Sequence, residues 1–389
     1  MTISPHEQQA LDWLAAQAPA MVDLLARLVN QDSGSYDVTG VDAAGDILRG
    51  FLEEEGFHVD VTPGAALGYS FETRLPAAEG RNAPAHVLLM GHRDTVFPMG
   101  EAERRPFRVE AGRAFGPGVA DMKAGLVLNA FVMAALKRIG GAPHPVVMLC
   151  TPDEEIASPE GRGVIERAAE GAAAVFNAEP GRPGGGIVTS RNGGLFFEVE
   201  ITGRAAHSGA SHRQGRSAVE ALARKVQALH ALTDYDAGIT SNVGLVAGGE
   251  AVNTVAPSAR FAFDCRFATR AALARVEPAI EAILERIDVP DTTTTVTSRR
   301  LFLPVEPKAE NEQLFAHYAA GAGEIGLGVE AVFSGGSADS GFTSALGVPT
   351  ICGTGPIGEK AHTPDEVLHL DTLAPRAQAL ALAVLRLPD

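Results

Sequence analysis

Short apolar runs alternate with helical segments in the first half of the 389-residue chain, and this order constrains the fold more than any other feature. The apolar runs at 86–90, 145–150 and 173–177 have the length of buried strands. Segments with helical periodicity at about 123–139 and 160–170 separate them. Strands that alternate with helices form βαβ units, in which the sheet is largely parallel and covered on both faces. The sequence therefore predicts an α/β domain built on a mostly parallel central sheet.

The pattern changes after the Asn-Gly-Gly segment at 192–194. The next predicted elements follow the order β-α-β-β-α-β, which resembles a ferredoxin-like α+β sandwich. They are strand 195–201, helix 216–232, strands 242–247 and 259–267, helix 270–287 and strand 291–298.

The α/β pattern resumes after Leu303. The elements predicted there are helix 311–325, strand 329–333 and helix 371–387. We therefore predict two domains. The first is discontinuous, comprising 1–192 and 304–389, and the second is an inserted domain at 193–303.

The N-terminal segment has the pattern of an amphipathic helix. The segment Ser-Pro-His-Glu at 4–7 is a capping box with proline at the first helical position. Apolar residues then recur at helical spacing from Leu11 to Leu28. A second helix is predicted at 41–55 and ends at Gly56.

The charge and the cysteine content indicate which binding partners and which cellular compartment to expect. The formal net charge of −16 opposes binding to nucleic acid or to an anionic membrane surface. Cys150, Cys265 and Cys352 form no CxxC pair, which is typical of buried thiols in a reducing compartment. The N-terminus lacks the pattern of a secretory signal, and no stretch approaches the roughly 20 apolar residues of a membrane span. We expect a cytoplasmic protein with neither nucleic-acid nor membrane partners.

Side chains that can bind metal follow each of the three predicted strands. His92 and Asp94 follow the first strand, and extended backbone directs both to the same side. Three acids at 153–155 follow the second strand, and Glu179 follows the third. An acidic run alone is typical of a solvated turn. Because the carboxyl ends of strands in an open α/β sheet meet where ligands bind, we instead expect these groups to face one cleft.

Two further residues complete the candidate set. Asp121 precedes a predicted helix, and His362 follows another predicted strand and loop. Each residue alone is more typical of a structural polar group. Together they offer nitrogen and oxygen ligands without cysteine, which suits catalytic zinc, and a bridging carboxylate suits a pair of metal ions. Of two adjacent glutamates, one can bind metal while the other transfers protons.

Taken in order, these motifs resemble those of a known family. The chain resembles the zinc-dependent glutamate carboxypeptidase, aminoacylase and succinyl-diaminopimelate desuccinylase family of co-catalytic metallohydrolases, and is nearest to the glutamate carboxypeptidase branch. The resemblance implies a di-zinc exopeptidase-like catalytic domain and an inserted lid and dimerisation domain. It extends over nearly the whole chain, through NQDSGS at 30–35, GHRDTV at 91–96, GPGVADMKAG at 116–125, PDEE at 152–155, AEP at 178–180, GRAAHSGA at 203–210 and AHTPDE at 361–366.

The resemblance implies three ligands for each of two zinc ions, with Asp121 shared between them and followed by a cis peptide bond. The first ion would be held by His92, Asp121 and Glu179, and the second by Asp121, Glu155 and His362. Cobalt or manganese would also suit this ligand set. Asp94 would orient His92. Glu154 would be the general base that deprotonates the metal-bridging water and then protonates the leaving amine.

The inserted domain supplies the remaining implied roles. His207 would stabilise the tetrahedral oxyanion across a dimer interface, and Asn253 and Arg266 would bind the substrate carboxylate, for which arginine is well suited. The loop at 211–216 departs from the family, with two arginines and a histidine where a Pro-Glu pair is usual. It is either ordinary variation of a surface loop or a recognition site for an acidic group.

The predicted function is hydrolysis of the amide bond in a peptide or N-acyl amino acid with a free carboxylate, releasing glutamate, by a homodimer formed through the lid domain. An aminoacylase or dipeptidase could use the same set of metal ligands. A non-catalytic metal-binding scaffold would be expected to lack the base, yet Glu154 is present. A nucleotide-dependent oxidoreductase would need a complete GxGxxG after a strand, which the sequence lacks.

Overall fold

A computed structural model describes residues 3–81 and 83–388. The helices are α1 Pro5–Ala16, α2 Ala18–Val29, α3 Val38–Glu54, α4 Glu101–Arg104, α5 Ala124–Arg138, α6 Gly161–Ala169, α7 Ala218–His230, α8 Arg270–Glu285, α9 Ala309–Glu324, α10 Ser340–Ala345 and α11 Leu373–Leu385. The strands are β1 Val59–Thr62, β2 Ser70–Leu75, β3 His86–His92, β4 Arg108–Glu110, β5 Arg113–Phe115, β6 Val146–Thr151, β7 Ala172–Asn177, β8 Gly186–Arg191, β9 Gly193–Thr202, β10 Ala206–His207, β11 Ile239–Gly248, β12 Thr254–Val255, β13 Ser258–Phe267, β14 Thr293–Phe302, β15 Glu330–Ser334, β16 Thr350–Cys352, β17 Gly358–Glu359 and β18 Val367–His369.

The chain divides into two compact units, each with its own apolar core. The first unit comprises the chain up to Ser190, Pro307–Ser334 and the chain from Phe342. The second comprises Arg191–Glu306 and Gly335–Gly341. The predicted limits of the inserted domain did not include this last glycine-rich segment.

The first unit is built on a sheet with strand order β1-β2-β6-β3-β7-β16-β8-β15. Its central strands are parallel, since β3 pairs with β6 and β7, and β16 pairs with β7. Antiparallel strands flank this centre, with β2 against β6 and β8 against β16. Helices α5, α6 and α9 pack against the central strands, which explains their nearly continuous burial and apolar sequences. The predicted α/β fold with a mostly parallel central sheet is confirmed.

Helix α5 lies at the centre of the first unit. It packs against β3 and β6 and also against α1, α2, α3 and α11, so almost every face is buried. With the preceding turn it forms the 20-residue segment Val119–Arg138, within which a window of 18 residues has a mean hydropathy of 1.6 and is 94% buried. The expectation that no stretch has the length and apolar character of a membrane span was therefore wrong. Burial on all sides is what makes this helix apolar all round.

The sequence also missed a break in the N-terminal helix. The predicted capping box is present, because Ser4 Oγ accepts from the Glu7 amide and the Glu7 carboxylate accepts from the Ser4 amide. However, the apolar periodicity continues through two helices, α1 and α2, which meet at Gln17. Pro19 lies in the first turn of α2, where a missing amide hydrogen is tolerated.

The second unit contains a four-stranded antiparallel sheet in the order β11-β13-β9-β14. In chain order its main elements are β9, α7, β11, β13, α8 and β14, which is the predicted β-α-β-β-α-β sequence. Strand β9 alternates strictly between buried and exposed residues over most of its length, because one face of this sheet packs against helices and the other does not.

One glycine in α5 allows close approach to the segment that carries Glu179. A Cβ atom built on Gly125 would lie 1.8 Å from the Ala178 carbonyl oxygen. We expect Gly125→Ala to lower the free energy of unfolding by about 1–3 kcal/mol, because two backbone segments would have to separate. Gly50 in α3 has no atom within 4 Å of the same position, so Gly50→Ala should instead stabilise by about 0.5–1 kcal/mol. Urea denaturation of both variants distinguishes these outcomes, and equal stabilities would contradict the packing argument.

Candidate metal centre and catalytic residues

The first unit brings the predicted ligands to one edge of its sheet. His92 is the last residue of β3, and Glu155 lies in the turn that follows β6. Glu179 follows β7, while Asp121 lies in the turn before α5. His362 belongs to the connection between β17 and β18. Parallel strands end at the same edge, so the fold itself gathers these side chains.

These residues form two groups that share one carboxylate. In the first group, His92 Nε2 lies 3.5 Å from Asp121 Oδ1 and 3.7 Å from Glu179 Oε1. In the second, His362 Nε2 lies 3.3 Å from Asp121 Oδ2 and 3.2 Å from Glu155 Oε2. Asp121 therefore presents one oxygen to each group, which is the arrangement of a bridging ligand. The peptide bond that follows it is cis, as the family resemblance implied.

The hydrogen bonds of the His92 ring show whether the candidate ligands suit a metal ion. Its Nδ1 lies 3.1 Å from Asp94 Oδ1, which fixes the orientation of the ring. Its Nε2 is buried and has no hydrogen-bond partner among the described residues, although carboxylate oxygens of the first group face it. An imidazole held through Nδ1 by a carboxylate is the usual form of a metal-binding histidine. The residues present therefore fit a divalent cation with nitrogen and oxygen ligands.

The electrostatics of the cluster favour added positive charge. Hydrogen bonds to Asp121 and Glu155 raise the pKa of His362 to about 10. Burial opposes protonation of His92, but the surrounding carboxylates, Glu154 foremost, still raise its pKa well above the usual value. Burial raises the pKa of Glu155 to about 7. Protons or metal ions can supply this positive charge, and metal binding displaces the protons.

Asp94 organises the catalytic side of the site. It is fully buried, and besides His92 it accepts hydrogen bonds from the backbone amides of Glu154 at 3.0 Å and Glu155 at 3.1 Å. Ser35 Oγ donates to the same carboxylate at 2.6 Å. Glu154, with Oε2 at 3.9 Å from His92 Nε2, is therefore held beside the first metal group. One buried carboxylate thus positions a candidate ligand histidine, a candidate ligand glutamate and the glutamate beside them.

Glu366 is a structural residue of the site that the sequence analysis did not single out. Its buried carboxylate accepts from the backbone amides of Gly118 at 3.0 Å, Ala120 at 2.8 Å and Asp121 at 2.9 Å. It therefore shapes the turn that presents the bridging carboxylate. The only sequence signal was its place in the same short motif as His362, where it reads as one acid in a polar loop.

His207 and Asn253 lie together in the second unit. Strands β10 and β12 pair with His207 opposite Thr254, and the Ser208 amide donates to the Asn253 carbonyl at 2.9 Å. His207 is exposed, and its Nδ1 accepts from the amides of Gly209 and Ala210, both at 3.1 Å. A ring that accepts at Nδ1 carries its hydrogen on Nε2, so this atom is a donor.

Arg266 is already engaged within the second unit. It lies on β13, and its guanidinium forms an ion pair with Asp264 at 2.8 Å, donates to Ser337 Oγ at 3.1 Å and stacks over the Phe196 ring at 4.8 Å. These contacts fix the plane of the guanidinium. In the basic loop at 211–216, Arg216 pairs with Asp291 at 2.9 Å, so at least this charge has a structural partner.

A sequence model of the family described as Peptidase family M20/M25/M40 matches residues 88–386, which include all five candidate ligands and the glutamate beside them. The chain belongs to peptidase family M20/M25/M40. Its membership, together with the relatives described next, makes it a metal-dependent hydrolase that acts on peptide or amide bonds.

Curated M20 relatives align over nearly the whole chain. The chain is 28% identical to carboxypeptidase G2 from Pseudomonas sp. (strain RS-16) over 366 residues, which cover 92% of this chain and 86% of that protein. It is 26% identical to acetylornithine deacetylase from Proteus mirabilis (strain HI4320) over 391 residues, covering 93% and 95%.

A solved M20 family metallo-carboxypeptidase from Sulfolobus solfataricus has a TM-score of 0.76 at 16% identity, covering 94% of this chain and 99% of that chain. A tripeptidase from Staphylococcus aureus has a TM-score of 0.74 at 19% identity, covering 95% and 98%. At these identities the structural similarity shows the fold alone, which is the fold predicted from the sequence.

Glu366→Gln tests whether this buried carboxylate shapes the M20 metal centre. A glutamine directs at least part of its amide NH2 towards backbone N–H donors, so the turn that carries Asp121 should relax. We expect metal affinity to fall about 10–100-fold. The neighbouring exposed residue provides the matched control, Asp365→Asn, which should retain the wild-type affinity. Competition with a chelating indicator measures both, and equal affinities would show that Glu366 does not support the site.

Proposed function

We propose that the chain is a two-zinc hydrolase that cleaves the amide bond of a peptide or N-acyl amino acid with a free carboxylate and releases glutamate. The observation that supports this most strongly is the pair of three-residue groups that share Asp121, with Glu154 beside them. His92 and Glu179 would complete the first ligand set. Glu155 and His362 would complete the second, and this set would also accept cobalt or manganese.

Glu154 is the proposed acid–base group. Metal ions in the two groups would lower the pKa of water and polarise the scissile carbonyl. Glu154 accepts a proton from the attacking water as the water oxygen bonds to the carbonyl carbon. It then delivers that proton to the nitrogen as the C–N bond breaks, leaving a carboxylic acid and an amine. The hydrogen bond from its amide to Asp94 keeps its backbone fixed during both transfers.

His207 is the proposed donor to the developing oxyanion. Because its Nδ1 is occupied as an acceptor, Nε2 presents a hydrogen to an oxygen atom without a change of tautomer. This role rests on the family resemblance and on that tautomer.

Arg266 and Asn253 are the proposed partners of the substrate carboxylate. A guanidinium held in plane by Asp264 and stacked on an aromatic ring is preorganised for a planar carboxylate. Similarity to a protein named a carboxypeptidase supports release of a C-terminal residue. The preference for glutamate rests on the resemblance to the glutamate carboxypeptidase branch. We also propose a cytoplasmic location, since all three cysteines are free and buried.

An aminoacylase is the principal alternative, because relatives named acetylornithine deacetylase and succinyl-diaminopimelate desuccinylase match with similar identity. It would use the same metal groups and Glu154. The two proposals differ in the released amine, which is glutamate in the first and another amino acid in the alternative.

Glu154→Gln tests the proposed chemistry. Glutamine keeps the size of the side chain but cannot accept and return a proton, so kcat should fall at least about 10²–10⁴-fold on a panel of peptidyl and N-acyl glutamates. The metal content should remain that of the wild type, because Glu154 is not a proposed ligand. Glu170→Gln, at an exposed glutamate, serves as the control. Full activity of Glu154→Gln would exclude the mechanism, while metal loss would reassign this residue as a ligand.

We propose that the protein is a homodimer formed through the second unit. Strand β11 lies at the edge of its sheet, and its Leu245 and Val246 are 71% and 61% exposed. Edge strands with exposed apolar residues readily pair with another chain. The family resemblance further implies that His207 of one copy serves the metal centre of the other.

Mixed dimers test both parts of this proposal together. Glu154→Gln and His207→Gln homodimers should each have low activity. If His207 acts across the dimer, a hybrid of the two variants contains one site with both groups intact, so we expect about half of the wild-type activity per hybrid. Co-expression with two different tags isolates the hybrid. If it is no more active than its parents, His207 does not act across the dimer, and a monomeric mass in sedimentation would exclude the dimer itself.

A further inference from the structure

An apolar groove opens beside the metal centre of the first unit and has no role in the chemistry described above. Its volume is about 570 Å³, within the range of small-molecule sites. Two loop segments form its walls, 34–37 on one side and 95–99 on the other. The proposed metal ligand Glu155 also lines it, so the groove is continuous with the candidate active site.

The groove presents an unusual amount of exposed apolar surface. The side chains of Tyr36, Met99 and Val96 are 74%, 73% and 43% exposed. Exposed apolar residues scattered singly need no explanation, but several of them around one concave surface are typical of a ligand site. A ligand that covers these side chains would gain free energy from their removal from water.

The walls are held in place before any ligand binds. Backbone hydrogen bonds join them, from the Thr95 amide to the Ser33 carbonyl at 2.8 Å and from the Ser35 amide to the Thr95 carbonyl at 3.3 Å. The Asp32 carboxylate accepts from the amides of Gly100 and Ala102 at 2.7 and 2.8 Å. Because Ser35 Oγ also donates to Asp94, one wall is tied directly to the metal centre. A groove of this kind needs little ordering when it binds.

The charge of the lining decides which end of a substrate fits. The carboxylates that line the groove are those of Asp37 and Glu155, and its lining includes no lysine, arginine or histidine. The Asp37 carboxylate, which is not a proposed metal ligand, would repel a substrate carboxylate there but would not repel an uncharged apolar group. Since the proposed substrate carries its carboxylate on the amine product, the groove is left for the acyl side of the scissile bond.

We propose that this groove is the acyl subsite and that it selects substrates with an extended apolar acyl group, through contacts with Tyr36, Val96 and Met99. The inference rests on the proposed hydrolase function and adds to it the chemical class of the acyl group. Each buried methylene can improve binding up to about fourfold. The half-open walls will leave part of the chain in water, so the gain per methylene will be smaller.

The test is the dependence of kcat/KM on acyl length in a series from N-acetyl- to N-hexanoyl-glutamate. We expect the wild type to prefer the hexanoyl substrate at least tenfold over the acetyl substrate. Tyr36→Ala and Met99→Ala should each reduce this preference to about threefold or less. Tyr235→Ala removes a tyrosine that is 82% exposed outside the groove, and it should keep the wild-type preference. A preference below twofold in the wild type, or one unchanged in both groove variants, would overturn the proposal.

Calorimetric titration of the metal-loaded Glu154→Gln variant, with and without the groove substitutions, separates the subsite from the chemistry. If the wild type hydrolyses none of the series, the proposed function fails, and the subsite is then judged by binding alone. At least tenfold tighter binding of N-hexanoyl- than of N-acetyl-glutamate, lost in Tyr36→Ala, would support the groove as an apolar subsite. Equal affinities for the two compounds would overturn it.

Discussion

The candidate metal centre depends on two buried carboxylates that are not among the candidate ligands. Asp94 fixes the ring of His92 and the backbone amides at 154–155, while Glu366 fixes three amides of the turn that carries Asp121. A carboxylate has about four acceptor positions, so a single group can hold several chain segments together. The acidic side chains of Asp121, Glu154 and Glu155 can be held close to one another in this way before a cation arrives, although they repel each other. The geometry of the candidate metal site therefore depends on these supporting hydrogen bonds as much as on the ligands themselves.

The buried carboxylates of the first unit also require positive charge nearby. Buried carboxylates are costly unless positive charge offsets them. Part of that charge comes from Lys123, which is fully buried two residues after Asp121 and donates to the carbonyls of Leu28 and Gln31. Burial lowers the pKa of Lys123 to about 8, although Glu366 and Asp32 favour its charged form. The same lysine ties the end of α2 to the metal turn, so one contact serves both the charge balance and the position of the loop that begins the groove.

Most of the central strands and candidate ligands could be predicted from the sequence, because buried strands and the polar residues that end them leave a recognisable pattern. Buried strands such as β3 are continuous apolar runs, and polar groups such as His92 mark the points where they end. The sequence could not predict what depends on contacts between distant segments. Glu366 reads as one acid in a polar loop, and only the fold brings it to Asp121, which lies 245 residues away in the chain. Similarly, the periodicity from Leu11 to Leu28 continues across the break at Gln17, because both helices bury the same kind of face.

The division between the metal site and the groove separates the proposed chemistry of this chain from its proposed choice of substrate. The supporting residues Asp94 and Glu366 are buried and accept several hydrogen bonds each, so changes there would disturb the whole site. The side chains of Tyr36, Val96 and Met99 instead project from loop segments whose backbones are held by other groups. They can change without moving a metal ligand, as is typical of specificity residues on loops over a rigid scaffold. The residues at the strand ends thus determine the proposed chemistry. The side chains of the neighbouring groove determine the proposed choice of acyl group.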